Sequence, residues 1–214
     1  VVMGNADEFV LDPSLLDPSR HPDADEHTRR LHDMERWCAA QLGPDDLAFV
    51  RTFRPAVEIP LEDGETLLCY HGSPRSSWDE IRGSTPDATL RAMLGDYLAP
   101  VEVGTGTPRA GKSGLRLVGR RRALVMAGGH THEQFVRRLE GSIVVNPGSA
   151  GLPYEAAPGQ DGRNPPWAEY AVVTHERGTL GVDMRRVPVD QAAIRRAILQ
   201  SGMPHADLWA TDWR

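Results

Sequence analysis

Apolar residues along this chain fall mostly into short runs of about five, separated by glycine, proline and aspartate, a spacing that belongs to strands rather than long helices. Ala123 to Ala127 is apolar throughout, too brief for a helix, and ends in Gly128-Gly129, so it reads as a buried strand with a sharp exit. Three hairpins are predicted around it. Val57–Leu61 pairs with Thr66–Tyr70 through Glu62-Asp63-Gly64-Glu65, Gln134–Leu139 pairs with Ser142–Asn146 across Glu140-Gly141, and Glu169–Thr174 pairs with Thr179–Arg186 at Glu176-Arg177-Gly178. Val1–Met3 is strand-like and runs into a Gly4-Asn5-Ala6-Asp7 turn, followed by irregular Asp- and Pro-rich chain to about Asp25.

Helical period shows in fewer places. Leu31, Met34, Trp37 or Cys38, and Leu42 define one face of a helix over Glu26–Leu42, stopped by Gly43-Pro44. A shorter helix over Pro44–Phe53 carries Asp45 and Asp46 in its first turn, where the helix dipole favours acid. Ser76–Ile81 predicts a helical turn, Thr85-Pro86 caps a helix to Leu94 ahead of Gly95, and Asp190 caps a helix to about Ser201. Between Asp96 and Arg122 no period is sustained, and the stretch reads as a loop insertion with Arg120-Arg121-Arg122 as its solvated flank. The whole is one α/β domain over residues 1–214, with Trp209 and Trp213 of the tail packing on its body.

Composition narrows the setting. A formal charge of −6 argues against a chain that coats nucleic acid, and no apolar run is long enough to span a membrane. The first residues lack a signal peptide, which leaves a cytoplasmic protein as the expectation. Cys38 and Cys69 have no metal-motif spacing and read as reduced core residues. His27 and His32 fall off the apolar face of their helix and are expected in solvent.

Chemistry concentrates where strands end. Asn5 follows Val1–Met3, His71 follows Leu67–Tyr70 beside Gly72, and His130 with His132 follows Ala123–Ala127. In extended chain, residues two apart share a face, so His130 and His132 are expected to present both imidazoles to one point. In open α/β sheets the carboxyl ends of neighbouring strands gather around a ligand, which would bring these segments together. An amide carbonyl with several imidazoles suits a borderline divalent ion.

Taken in order, Gly4-Asn5-Ala6-Asp7, Tyr70-His71-Gly72, Gly129-His130-Thr131-His132 and Asn146-Pro147-Gly148-Ser149 resemble the later motifs of the calcineurin-like metallophosphoesterases, in their small bacterial phosphodiesterase branch. The resemblance spans residues 1 to about 190. It implies a layered α/β/β/α metallophosphoesterase sandwich. It also implies a dinuclear centre holding two divalent metal ions, manganese first, with iron, zinc or nickel as alternatives. By position, Asn5, His71 and His130 would ligate the second metal and His132 would complete the first; the same four would carry catalysis. The implied reaction is hydrolysis of a small-molecule phosphoester, a diester above all, by a hydroxide generated at the metals. Arg75 is a candidate contact for substrate phosphate.

The family's opening Asp-x-His and Gly-Asp motifs, which supply the bridging carboxylate, do not occur ahead of Asn5. The N-terminal unit is therefore expected in a longer parent, and the chain as written is expected to bind metal weakly or singly. Ala6 stands where many relatives carry a histidine that protonates the leaving group, which favours diesters over hard monoesters. A non-catalytic phosphoesterase-like scaffold is the alternative. A third reading comes from Gly106-Thr-Pro-Arg-Ala-Gly-Lys112-Ser113, which matches the phosphate-binding P-loop pattern without a helical period after it. An edge strand left open would also suit a homo-oligomer.

Overall fold

The computed structural model describes residues 1–98, 123–155 and 162–213. The P-loop match at 106–113, the Arg120–Arg122 flank and the loop insertion beyond residue 98 lie outside the described residues.

Five strands form one mixed sheet: β1 (Ala56–Pro60), β2 (Thr66–Tyr70), β3 (Ala123–Ala127), β4 (Phe135–Leu139) and β5 (Ser142–Asn146), in the order β1-β2-β3-β5-β4. β2, β3 and β5 run parallel at the centre, while β1 and β4 pair antiparallel at the two edges. The centre is apolar because it is covered on both faces, and Leu68, Val125, Met126 and Val144 are fully buried there. This topology fixes the site. Three parallel strands discharge their carboxyl ends at one edge, so the segments after Tyr70, Ala127 and Asn146 emerge side by side.

A separate two-stranded sheet joins β6 (Trp167–Glu176) to β7 (Thr179–Pro188). Both two-residue turns predicted from an Xaa-Gly pair form as expected. Glu140 with Gly141, and Arg177 with Gly178, all hold positive φ, the conformation that matches the twist of a tight hairpin. The expected α/β class therefore holds, as a central mixed sheet flanked by helices.

The helices are α1 (Asn5–Leu11), α2 (Glu26–Ala40), α3 (Pro44–Val50), α4 (Asp87–Leu94), α5 (Gln191–Gln200) and α6 (Ala206–Trp209). α1 corrects the predicted turn and irregular chain after Gly4. Asp7, in its first turn, accepts a 2.7 Å bond from Gly4 N, and Phe9 is its buried residue, so the helix rests on a cap and one anchor rather than on a readable period. Beyond it, Asp12 and Asp17 each open a 3-10 turn by accepting from Ser14 N and Ser19 N. Asp25 and Asp190 cap α2 and α5 through Thr28 N and Ala193 N.

Two local expectations fail for a shared reason, which is competition from hydroxyls. Thr85 does not cap α4; its Oγ1 accepts from Arg82 N at 2.9 Å, and Pro86 takes the cap position. Ser76–Ile81 is not helical, because the buried Ser73 hydroxyl accepts from Arg75 N and Ser76 N while donating to Asp79 Oδ2 at 2.6 Å.

α4 and Ile81 cover the sheet, with Leu68, Tyr70, Ile81, Leu90, Leu94, Met126 and Val144 in one core cluster. Trp213 is buried against the body, as expected of the tail. Elsewhere burial departs from the reading. Cys38 is exposed and Cys69 half-buried, both as free thiols. His32 is not in open solvent but half-buried, 6.5 Å from the Phe9 ring and 4.8 Å from His21, and burial holds its pKa below the ordinary histidine value. α2 has no fully buried residue, because its apolar side faces two cavities. Among the described residues no helix is long and apolar enough to cross a membrane.

Candidate metal centre

Main-chain bonds hold the site's loops together before any side chain acts. Gly128 N donates to Val145 O at 2.9 Å and Gly129 N donates to His71 O at 2.7 Å, tying the exits of β3, β5 and β2 to one another. The approach is so close that no Cβ fits. One added at Gly128 would stand 2.5 Å from the Tyr70 ring, and one at Gly72 would stand 2.6 Å from Asp79 O. Asn146, 2 % exposed, completes the bracket: its Nδ2 donates to Gly129 O and Thr131 Oγ1, and its Oδ1 accepts from Gly148 N.

Asn5 reaches the same place from the first residue of α1. The segment before it is held beside residue 54, with Met3 N donating to Arg54 O at 2.8 Å and Val2 bridging Arg54 in parallel sense.

Three of the four predicted ligands converge. His71 Nε2 stands 2.8 Å from Asn5 Oδ1 and 3.2 Å from His130 Nδ1. Protons satisfy this arrangement poorly. A hydrogen on His71 Nε2 must fork between two acceptors, and one on His130 Nδ1 leaves Nε2 facing Asn5 Oδ1 lone pair to lone pair. A cation would satisfy such lone pairs. Two donors each about 2.1 Å from one ion, at right angles, are separated by about 3.0 Å, close to the spacing His71 Nε2 has from each of the other two atoms. Burial lowers the pKa of His71 first and the charge of His130 next, against the pull of Asp7. Burial likewise lowers His130 and His132. Neutral imidazoles are the ligand form.

The paired-imidazole expectation for His130 and His132 is corrected in its geometry. Both residues hold positive φ, 62° and 56°, so the segment is coiled rather than extended, and Thr131 N closes a tight turn onto Gly129 O. His132 consequently turns to Leu152, whose main chain its ring N–H bonds, and it lines a neighbouring cavity instead of joining the donor trio. Arg75 lies with an exposed guanidinium 3.8 Å from Asp96 Oδ2.

Of the carboxylates that stand nearby, Glu80, whose charge acts most on His130, pairs with Arg82 at 3.0 Å on the surface, and three others make local hydrogen bonds. Asp7 caps α1, Glu8 accepts from Ser77 Oγ at 2.6 Å and Trp78 Nε1 at 3.0 Å, and Asp79 accepts from Ser73. Among the described residues no group of three or more His, Cys, Asp or Glu side chains is arranged to hold a metal ion. The trio offers one amide oxygen and two imidazoles, donor types that could hold one ion, and among the described residues no carboxylate completes the group for a second. Sequence reasoning missed Trp78, whose ring centroid is 6.3 Å from that of His130 and 5.2 Å from that of Phe9, walling the centre on one side. Nothing in its irregular segment signalled that role.

Comparison with solved structures bears on the scaffold. The hypothetical protein PH1004 from Pyrococcus horikoshii OT3 superposes with a TM-score of 0.66 at 16% identity, over 98% of this chain and 71% of that one. The fold is metallophosphoesterase-like. At that identity the likeness speaks for the fold alone. Vps29 from Cryptosporidium parvum aligns at a TM-score of 0.27 and 15% identity, over 64% of this chain and 58% of its own. A single mutant of Vps29 from Entamoeba histolytica aligns at 0.30 and 13%, over 68% and 77%; both overlaps are too slight to carry an argument. No protein-family model matches the chain, and no curated protein matches it by sequence.

Proposed function

We propose that this chain binds a divalent cation, manganese in the first instance, through Asn5 Oδ1, His71 Nε2 and His130 Nδ1, and binds and hydrolyses phosphodiesters there. The observation that carries this reading is the convergence of two lone-pair atoms on His71 Nε2, with Asn5 Oδ1 at 2.8 Å and His130 Nδ1 at 3.2 Å from it. Bound at these atoms, a cation supplies Lewis-acid attraction for a phosphoryl oxygen. The chain's own residues do the rest. Asn146 and the Gly129–His71 main-chain bond fix the His130 loop against His71, and Trp78, edge-on to both Phe9 and His130, packs along one flank. Position 6 is alanine, so leaving groups that need no proton are the ones the site can release.

A second reading has its own support. With Asp7, Glu8 and Asp79 all held in structural hydrogen bonds, the described site fits a single ion that anchors a phosphoester without turning it over, a binding scaffold on the same fold.

One experiment tests both: calorimetric titration of the metal-free chain with Mn²⁺, followed by a phosphodiester hydrolysis assay on the loaded protein. One ion per chain, lost in His71→Ala and His130→Ala, together with turnover, supports the hydrolase. The same binding without turnover supports the scaffold. Failure to bind any ion overturns both.

A further inference from the structure

One cavity has a member of the donor trio in its own wall. It measures about 670 Å³, within the range of small-molecule sites, and is lined by Asn5 and by residues of α1, α2 and the chain between them. Its aromatic side chains form a connected row. From His130 the ring centroids pass to Trp78 at 6.3 Å, from there to Phe9 at 5.2 Å, then to His32 at 6.5 Å and to His21 at 4.8 Å, each pair edge to face. All four rings after His130 line the cavity, so the row leads from the donor trio along its wall. Trp78 is 48 % exposed, and Leu15 and Leu31 are half-buried in the same wall, which leaves apolar surface for a guest to cover.

Charge is spread unevenly along that row. At the near end Glu8 is occupied, accepting from Ser77 Oγ and Trp78 Nε1. On α2, burial raises the Glu35 carboxyl to about 7, so below that pH it carries little charge. The far end is cationic. Arg20 adjoins His21 in the wall, is exposed, and among the described residues donates only to Ser14 O, at 3.3 Å. A smaller cavity of about 370 Å³ shares His21 and His32 with the first and adds Arg29 and Arg36. Asp33, the carboxylate in its lining, is already bonded to Arg36 and to His205 Nε2.

We propose that the cavity beside Asn5 seats the organic group of the phosphoester, and that this group is aromatic and carries a carboxylate at its far end, bound by Arg20. The inference deepens the function proposed above and rests on it for the phosphoryl end. Trp78 and the rings behind it take a planar guest by edge or face, and Leu15 and Leu31 cover its remaining surface. Arg20, next to the last ring of the row, closes the far end. One guanidinium balances a single negative charge, and its planar fork matches a carboxylate.

The test uses three non-hydrolysable probes on the metal-free and the Mn²⁺-loaded chain, by calorimetry: methylphosphonate, biphenylmethylphosphonate, and the same biphenyl probe with a carboxylate on its outer ring. The plain biphenyl probe should bind about ten-fold tighter than methylphosphonate through the ring wall, and the carboxylated one about ten-fold tighter again through Arg20. Arg20→Gln, at an exposed position where the fold is not at stake, should lower the carboxylated probe to the level of the plain one. Leu31→Trp, which fills the cavity, should bring both ring probes to the level of methylphosphonate. Equal affinity for all three probes, or a carboxylate advantage that survives Arg20→Gln, overturns the proposal. Ring and carboxylate preference in a chain that binds no Mn²⁺ leaves this inference standing and sinks only the metal-centred function; Mn²⁺-dependent binding of methylphosphonate without ring preference does the reverse.

Discussion

His130 holds φ at 62°, a region that costs an L-residue about 1–2 kcal/mol and costs glycine nothing. If that strain is retained to aim Nδ1 at His71, then removing the ring should expose it. His130→Ala and His130→Gly both lose the 5.1 Å contact with the His71 ring and the edge contact with Trp78, so those losses cancel between them. What remains is backbone. Alanine keeps the strain, while glycine relieves it at the expense of about 0.5–1 kcal/mol of extra unfolded-state freedom. Glycine should therefore be the more stable replacement by about 0.5–1 kcal/mol, the reverse of the usual order of these two residues. For a chain of this size that is a melting difference of about 1–4 °C by thermal denaturation without metal. With Mn²⁺ at a hundred times its Kd the wild type should gain about 2.7 kcal/mol, and neither variant should gain it. An alanine variant as stable as the glycine one would refute the strain argument. A metal-induced shift retained in both would refute the ligand role.

Asn146→Ala leaves Gly129 O, Thr131 Oγ1 and Gly148 N without their partner, and should cost about 3 kcal/mol in denaturant unfolding and about 10–100-fold in Mn²⁺ affinity. Gly72→Ala drives a Cβ into the main chain of Asp79 and Ser76, atoms that cannot swing aside, and should cost about 1–3 kcal/mol while weakening metal binding through the displaced His71; an unchanged melting temperature would contradict the packing described. Burial raises the Glu35 carboxyl from 4.5 to about 7, so the folded state holds its proton more tightly than the unfolded chain. This contribution is fully present below the lower value and lost as pH rises through the upper, by about 1 kcal/mol once the side chain's partial exposure is allowed for, and Glu35→Gln should flatten stability across that window.

Most of the sheet could be read from the sequence because its signals are local. Five-residue apolar runs and Xaa-Gly turns specify strands and hairpins without help from distant residues, and β2, β3, β5 and the β6–β7 pair form where those signals lie. α1 could not be read in this way. Its seven residues carry one buried side chain, Phe9, and its stability comes from an Asp7 cap and from packing against α2, which no single period records. The expectations at Ser76–Ile81 and at Thr85 failed for a related reason: a hydroxyl such as that of Ser73 or Thr85 can serve a helix or a loop equally well, and the choice depends on partners such as Asp79 and Arg82 that folding brings up.

The site divides along the same line. That His71 and His130 would meet follows from parallel strands ending at one edge, which is a consequence of topology and readable once the strands are; Asn5 joins them instead from the start of α1, behind a single bridge of Val2 to Arg54 rather than the strand expected over Val1–Met3. Where His132 points is set by two departures from extended backbone, at His130 and at His132 itself, and strict alternation along a strand assigns it to the wrong neighbour. The charge balance follows from where the carboxylates were spent. Asp7, Glu8 and Asp79 lie close in sequence to Asn5 and His71, yet each stabilises a cap or a loop, leaving a donor set with no negative charge of its own. Three neutral donors hold a cation without neutralising it, so a bound ion would keep most of its attraction for an anion. That is the electrostatic condition for gripping a phosphoester, offset in part by the carboxylates of Asp7, Glu8, Asp79 and Glu80, whose charges act on His71 and His130.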